Sequence, residues 1–158
     1  MLNSRIVKKI KSVFINALNE GTSASKLALT CSIGMYIAFS PFPGAHTIMV
    51  LTAKWLFKLN LPILFIVSSL NNPWTMIPVF TLDYYFGYWL IHTVLGINPP
   101  WILSLSNIFG SGSICICSFL VGGNILGIIS FFVIYPLAYF LFKKINLRRS
   151  LHNIEKYL

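Results

Sequence analysis

This chain reads as an all-α integral membrane protein, on three observations. Hydrophobic residues fill 56% of its 158 positions and charged residues only 9%, with a mean hydropathy of +0.77; a soluble domain carries roughly 25% charged residues to cover its surface. Between Leu59 and Phe142 there is no Lys, Arg or Glu and one carboxylate, Asp83, and no soluble fold of this size hides so much apolar surface. Two short polar breaks, Ser40-Pro41-Phe42-Pro43-Gly44-Ala45-His46-Thr47 and Asn71-Asn72-Pro73-Trp74-Thr75, each cut an apolar stretch midway. Interrupted helices at membrane depth are tolerated only where protein or water covers the freed backbone groups, and they are a usual pointer to a binding site near the bilayer centre.

Charge sets the orientation. The net charge of +9 is not spread over a surface, as nucleic-acid binding would need, but gathered at the two ends. Arg5, Lys8, Lys9, Lys11 and Lys26 lie in front; Lys143, Lys144, Arg148, Arg149 and Lys156 lie behind, with Lys54 and Lys58 between. Basic residues flanking apolar spans stay in the cytoplasm, so both termini are expected there, with attraction to anionic lipid headgroups. Cys31, Cys115 and Cys117 all sit in apolar segments; their odd number and spacing fit neither a disulfide framework nor a zinc site, so they are expected to pack.

The elements follow in order. Residues 1–26 predict a basic amphipathic interfacial helix: Ile6, Val7, Ile10, Val13, Phe14, Ala17 and Leu18 share one face, with Lys8, Lys9 and Lys11 off it. Residues 27–142 form the membrane domain. Leu27–Phe39 reaches only about 20 Å against a hydrocarbon core of ~30 Å. With the break at Pro41–Gly44 and the return along Ala45–Phe57, the simplest path is a re-entrant hairpin that brings Lys54 and Lys58 back inside. The alternative is one kinked span, which strands both lysines outside. Leu61–Leu70, the second break and Met76–Leu95 read as one crossing made of two half-helices. The uncharged stretch Gly96–Gly110 reads as an outer loop with Trp101 at headgroup depth. Ile114–Phe142 is one long spanning helix, in which Gly122-Gly123-Asn124 and Pro136 mark bends. Residues 143–158 form a basic cytoplasmic tail.

Polar residues at the breaks are the candidate site. Pro41 and Pro43 remove two backbone donors and Gly44 permits a tight turn. A helix restarting at Ala45 offers free N–H groups and a positive dipole end to an anion, with His46 and Thr47 in its first turn. Lys54 is about 80° round the helix from His46 and Lys58 one turn beyond. The structural alternative is that His46 and Thr47 cap a buried turn while the lysines snorkel outward. In the second break Asn71, Asn72 and Thr75 surround Pro73, and amides at this depth need partners. They either bind a ligand or pair with the first break and hold the two tips together. Asp83 is a candidate as the lone intramembrane carboxylate, the alternative being a salt bridge to Lys54 or Lys58 or a position near an interface. His92 lies about 180° round from Asp83, which speaks against a dyad. No enzyme motif occurs, three acidic residues leave little for acid–base work or a metal, and no cofactor is expected.

The run 33–47 (Ile33-Gly34-Met35-Tyr36-Ile37-Ala38-Phe39 and the first break), with Leu59-Asn60-Leu61-Pro62, Asn71-Asn72-Pro73-Trp74-Thr75-Met76 and Gly87, resembles the bacterial membrane family catalogued as domain of unknown function 2062. The resemblance covers residues 20–142 and implies a small integral inner-membrane protein, sometimes the membrane part of a glycosyltransferase-like polypeptide, with no established activity. A looser similarity to DedA-type membrane proteins with re-entrant helices rests on the Pro-broken hairpin pattern. Two functions are expected to compete: transport or flipping of an anionic lipid or small anion, and anchoring or assembly of envelope glycan-synthesising enzymes. With so little interior to shield two broken helices, a homo-oligomer is expected.

Overall fold

The structure, a computed structural model, describes residues 12–13, 16, 22–42, 44–72, 74–97, 102–104 and 113–155. The expected amphipathic helix of residues 1–26 therefore lies largely outside the described residues, as do Pro43, Pro73 and Trp101. Five helices and one short ladder make up the rest: α1 (Ala24–Phe39), α2 (His46–Phe57), α3 (Leu61–Ser68), α4 (Met76–Tyr88) running on into a π-helical turn (Trp89–Val94), β1 (Ile102–Ser104), β2 (Ser113–Cys115) and α5 (Ile116–Glu155).

Local chemistry explains the helix ends. The Ser23 hydroxyl accepts from the Lys26 N–H at 3.2 Å and starts α1. Its buried Thr30 and Ser32 hydroxyls donate to the carbonyls four residues back, both at 2.8 Å, so an apolar helix carries them at little cost. Ser40 is extended (φ −64°, ψ 126°), as a residue before proline must be, and α1 stops there. At the end of α2, Lys58 adopts the left-handed conformation (φ 50°) and returns its N–H to Lys54. Asn60 then caps α3 by accepting from the Ile63 N–H at 3.3 Å, with Pro62 in the first turn, where a missing N–H costs nothing.

The long helix α5 organises the molecule. Its 40 residues extend about 60 Å, and Ile116–Asn146 is long and apolar enough to cross a membrane, an 18-residue stretch within it having a mean hydropathy of 2.3. Helix α1 lies antiparallel along its later part. Tyr36 bonds Asn124 at 2.9 Å, Ser25 bonds Tyr135 at 3.0 Å, and Leu27 and Cys31 cluster with Phe142 and Ile63. Helix α3 runs parallel to α1, since Gly34 abuts Leu64 and Val67 while Asn71 reaches Ala38. Between them α2 folds back beside α1, where Ile37, Val50, Leu59 and Leu64 form a second cluster. Helix α4 then continues in the direction of α1 and α3 along the first turns of α5, where Asp83 faces Gly122 and Gly87 faces Ser118.

The chain is helical as expected, and three local features add to that picture. One short ladder lies among the described residues: Ile102–Ser104 pairs antiparallel with Ser113–Cys115, Leu103 opposite Ile114, at the region expected to be an outer loop. The basic segment after Phe142 continues α5, which runs unbroken to Glu155. Gly122 and Gly123, expected to mark bends, are points where other backbones touch α5. A Cβ on Gly122 would lie 1.8 Å from the Asp83 carbonyl oxygen, and one on Gly87 would lie 1.8 Å from that of Ser118. A Cβ on Gly123 would lie 2.9 Å from the Phe39 carbonyl oxygen and 3.0 Å from Pro41.

Backbone against backbone leaves nothing to rotate away. Gly87→Ala and Gly122→Ala are expected to force α4 off α5 and to cost at least the ~1–3 kcal/mol typical of overpacking, read as a lower unfolding temperature of the purified protein. Gly44→Ala, at φ 89° with open space around it, is expected to cost roughly 1–2 kcal/mol through backbone strain alone.

Candidate functional site

The two breaks meet. The Asn71 side-chain amide donates to the Ala38 carbonyl at 2.7 Å, one residue before α1 ends. The other side-chain atom, Asn71 Oδ1, is buried and has no hydrogen-bond partner. Of the two readings of the second break, holding the tips together is the role Asn71 performs, and its free oxygen leaves capacity beyond that role.

Asn72 and Thr75 are committed to the turn itself. Asn72 Oδ1 accepts from the N–H groups of Trp74 and Thr75 at 2.9 and 3.1 Å. The Thr75 hydroxyl accepts from the Asn72 N–H at 2.9 Å and donates to the Leu70 carbonyl. These bonds brace the approach to α4, where the chain lacks helical partners. The first break is built differently. Helix α2 begins at His46 after Ala45, with no side-chain cap; His46 is half-buried and Thr47 exposed. The first-turn N–H groups of α2 thus depend on partners other than a capping side chain.

Asp83 is fully buried on α4, and neither carboxylate oxygen has a hydrogen-bond partner. The salt bridge to Lys54 or Lys58 is not formed; both lysines are exposed on or beside α2. His92 belongs to another cluster. It sits in the π-helical turn, its ring 4.2 Å from that of Tyr88, and with Ser118 it lies within hydrogen-bond reach of the Cys115 thiol. Cys31 and Cys115 are buried and all three thiols are free, as packing residues are.

One feature had no sequence signal. A groove of about 470 Å³ opens between α1, α2 and α5, within the size range of small-molecule sites. It runs from Leu29 to Ile37 on α1 and from Phe57 back to Ile48 on α2, with Phe131 from α5, and its lining is apolar apart from Thr52 and Tyr36. Lys26 precedes Leu29 by three residues and Lys58 follows Phe57 directly, so one end is basic. The other end meets the first turn of α2. No periodicity announces such a groove, because it is made by the fold-back of α2.

The turn bonds predict a stability effect separate from ligand binding. Thr75→Val and Asn72→Ala are each expected to cost about 0.5–2 kcal/mol, as lost caps do, in the thermal unfolding of the purified protein, with no change in the oligomeric state measured by light scattering.

A family model described as "Uncharacterized protein conserved in bacteria (DUF2062)" matches residues 7–150. No curated protein and no solved structure matches the chain. The motif residues of both breaks and of the α4–α5 contact all lie within the matched range, and the chain belongs to this family of uncharacterised bacterial proteins.

Proposed function

We propose that this is a multi-pass protein of the bacterial inner membrane that binds an anionic lipid or small anion and moves it across the bilayer. The groove carries the proposal: an apolar channel with Lys26 and Lys58 at one end and the uncapped start of α2, with His46 and Thr47, at the other. Acyl chains fit its lining, the lysines draw an anionic headgroup to the entrance, and a helix N-terminus accepts the same charge deeper in. In this scheme α1 and α2 form the re-entrant hairpin, α3 and α4 form one interrupted crossing, and α5 returns. Lys26, Lys58, Lys143 and Lys144 then share the cytoplasmic side, as do both termini. The outer surface supports placement in lipid: Trp74 is 90% exposed, Trp55 81% and Ile77 75%, a surface that water disfavours. Lys54 and Asp83 tune the charge around the path. So much exposed apolar surface also suits a homo-oligomer.

A second reading, a membrane anchor or assembly partner for envelope glycan-synthesising enzymes, draws support from the commitment of Asn72 and Thr75 to local turn bonds. The two separate in reconstituted liposomes. Lipid translocation predicts that the protein speeds the transbilayer movement of a labelled phosphatidylglycerol but not of labelled phosphatidylcholine. It further predicts that His46→Ala and Lys58→Ala slow that movement at least tenfold. An anchor leaves both lipids unmoved and tolerates both substitutions in cells.

A further inference from the structure

Three elements come together around neighbouring residues of α5. Gly122 touches the backbone of Asp83, and its neighbour Gly123 touches the Phe39 carbonyl and Pro41. Asn71 is tied to Ala38, the residue before Phe39. The residues that converge on the Gly122-Gly123 pair are therefore Asp83 from α4, the C-terminal end of α1 and the tip that follows α3. The Cβ of a helical residue tilts toward the N-terminus of its helix; on α4 that is the end carrying the break at 69–75.

What these elements present is of one kind. Both Asp83 oxygens and Asn71 Oδ1 are buried acceptors without partners. The end of α1 adds a helix C-terminus with a negative dipole; there Ile37 and Ala38 already accept from the Ser40 N–H and the Asn71 side chain, which leaves the Phe39 carbonyl beside Gly123. His46, half-buried, opens α2 after the first break, and the lysines lie elsewhere. Lys26 opens α1 at its other end, and Lys143 and Lys144 follow Phe142, which packs against Leu27. Tyr36 spends its hydroxyl on Asn124. Cys115 and His92 lie beyond Ser118, toward the start of α5, while Cys31 packs with Leu27, Ile63 and Phe142 toward the basic end. A buried carboxylate with neither donor nor cation is too costly to keep. Hard oxygen ligands from carboxylate, amide and broken-helix carbonyls are what small hard cations take.

We propose that Asp83, the Asn71 side-chain oxygen and the carbonyl end of α1 form a binding site for a small monovalent cation, sodium or a proton. Sodium would be held by all three oxygen sources. A proton would sit on Asp83 and be shared with Asn71 Oδ1 through one hydrogen bond. Either satisfies the orphaned acceptors and ties α4 to the breaks, so occupancy at this junction couples the crossing helix to the hairpin. The site goes beyond lipid movement and needs only the fold, so its test is independent of translocation.

The test uses the purified full-length protein in detergent, with two probes. Thermal unfolding is measured in sodium chloride against choline chloride at equal ionic strength. Carbodiimide labelling, which modifies protonated carboxyl groups in apolar surroundings, is mapped by peptide mass spectrometry. If sodium is the ligand, it raises the unfolding temperature saturably and protects Asp83 from labelling. Asp83→Asn folds but loses the sodium response, and Asn71→Ala weakens the apparent sodium affinity at least tenfold. If a proton is the ligand, sodium changes nothing and Asp83 is labelled in its presence and absence alike. The proposal is overturned by a sodium response that survives Asp83→Asn. It is equally overturned if wild-type protein shows neither sodium stabilisation nor labelling at Asp83.

Discussion

At Gly87 and Gly122 the backbones of α4 and α5 touch, with no room for a single methyl on either side. Two helices this close are held by dispersion and backbone contact rather than by interlocking side chains. The approach fixes the height of α4 on α5. Gly123, one residue on, fixes the height of the first break, and the Tyr36–Asn124 hydrogen bond locks the same level from α1. Three consecutive residues of one helix thus set where α1 and α4 lie against it.

From that level the two breaks diverge for a local reason. Both run from helix through a proline-containing turn to a new helix, with the restart three residues after the proline, at His46 and at Met76. The residue after the proline differs. Gly44 takes φ 89°, a conformation L side chains avoid, whereas Trp74 is not among the positive-φ residues. After the first break the chain turns back and α2 lies along α1; after the second it goes on, and α4 continues the course of α3. The fold-back creates the groove, and the continuation places Asp83 against Gly122. One glycine therefore separates the fold-back from the continuation.

Much of this was legible in the sequence, for reasons that can be named. The end of α1 could be read from Ser40-Pro41 because proline restricts its predecessor whatever surrounds it. The second break could be read from Asn71-Asn72-Pro73 in the same way, and Asp83 stood out as the lone carboxylate of a long apolar region. What stayed hidden depends on neighbours. Gly122 and Gly123 look like bends when the helices that touch them are unknown. Ile102–Ser104 and Ser113–Cys115 carry no tight-turn signal between them, so their pairing could not be foreseen. The proposed partners of Asp83, Lys54 and Lys58, failed because sequence spacing ignores the side of the fold to which α2 returns. Asn72 and Thr75 looked like ligand groups because their turn bonds depend on backbone geometry that a list of residues does not contain.

The central physical claim is that the tip after α3 meets the end of α1 on the Gly122-Gly123 face of α5. Cysteine pairs in a background lacking Cys31, Cys115 and Cys117 measure this directly in native membranes. Ala38→Cys combined with Asn71→Cys is expected to form an intramolecular disulfide on mild oxidation, because the side chain of Asn71 already reaches the Ala38 backbone. Ala38→Cys combined with Trp74→Cys, whose native side chain faces outward, is expected to stay reduced. Efficient crosslinking of the second pair with none in the first would mean that the two breaks do not meet as described.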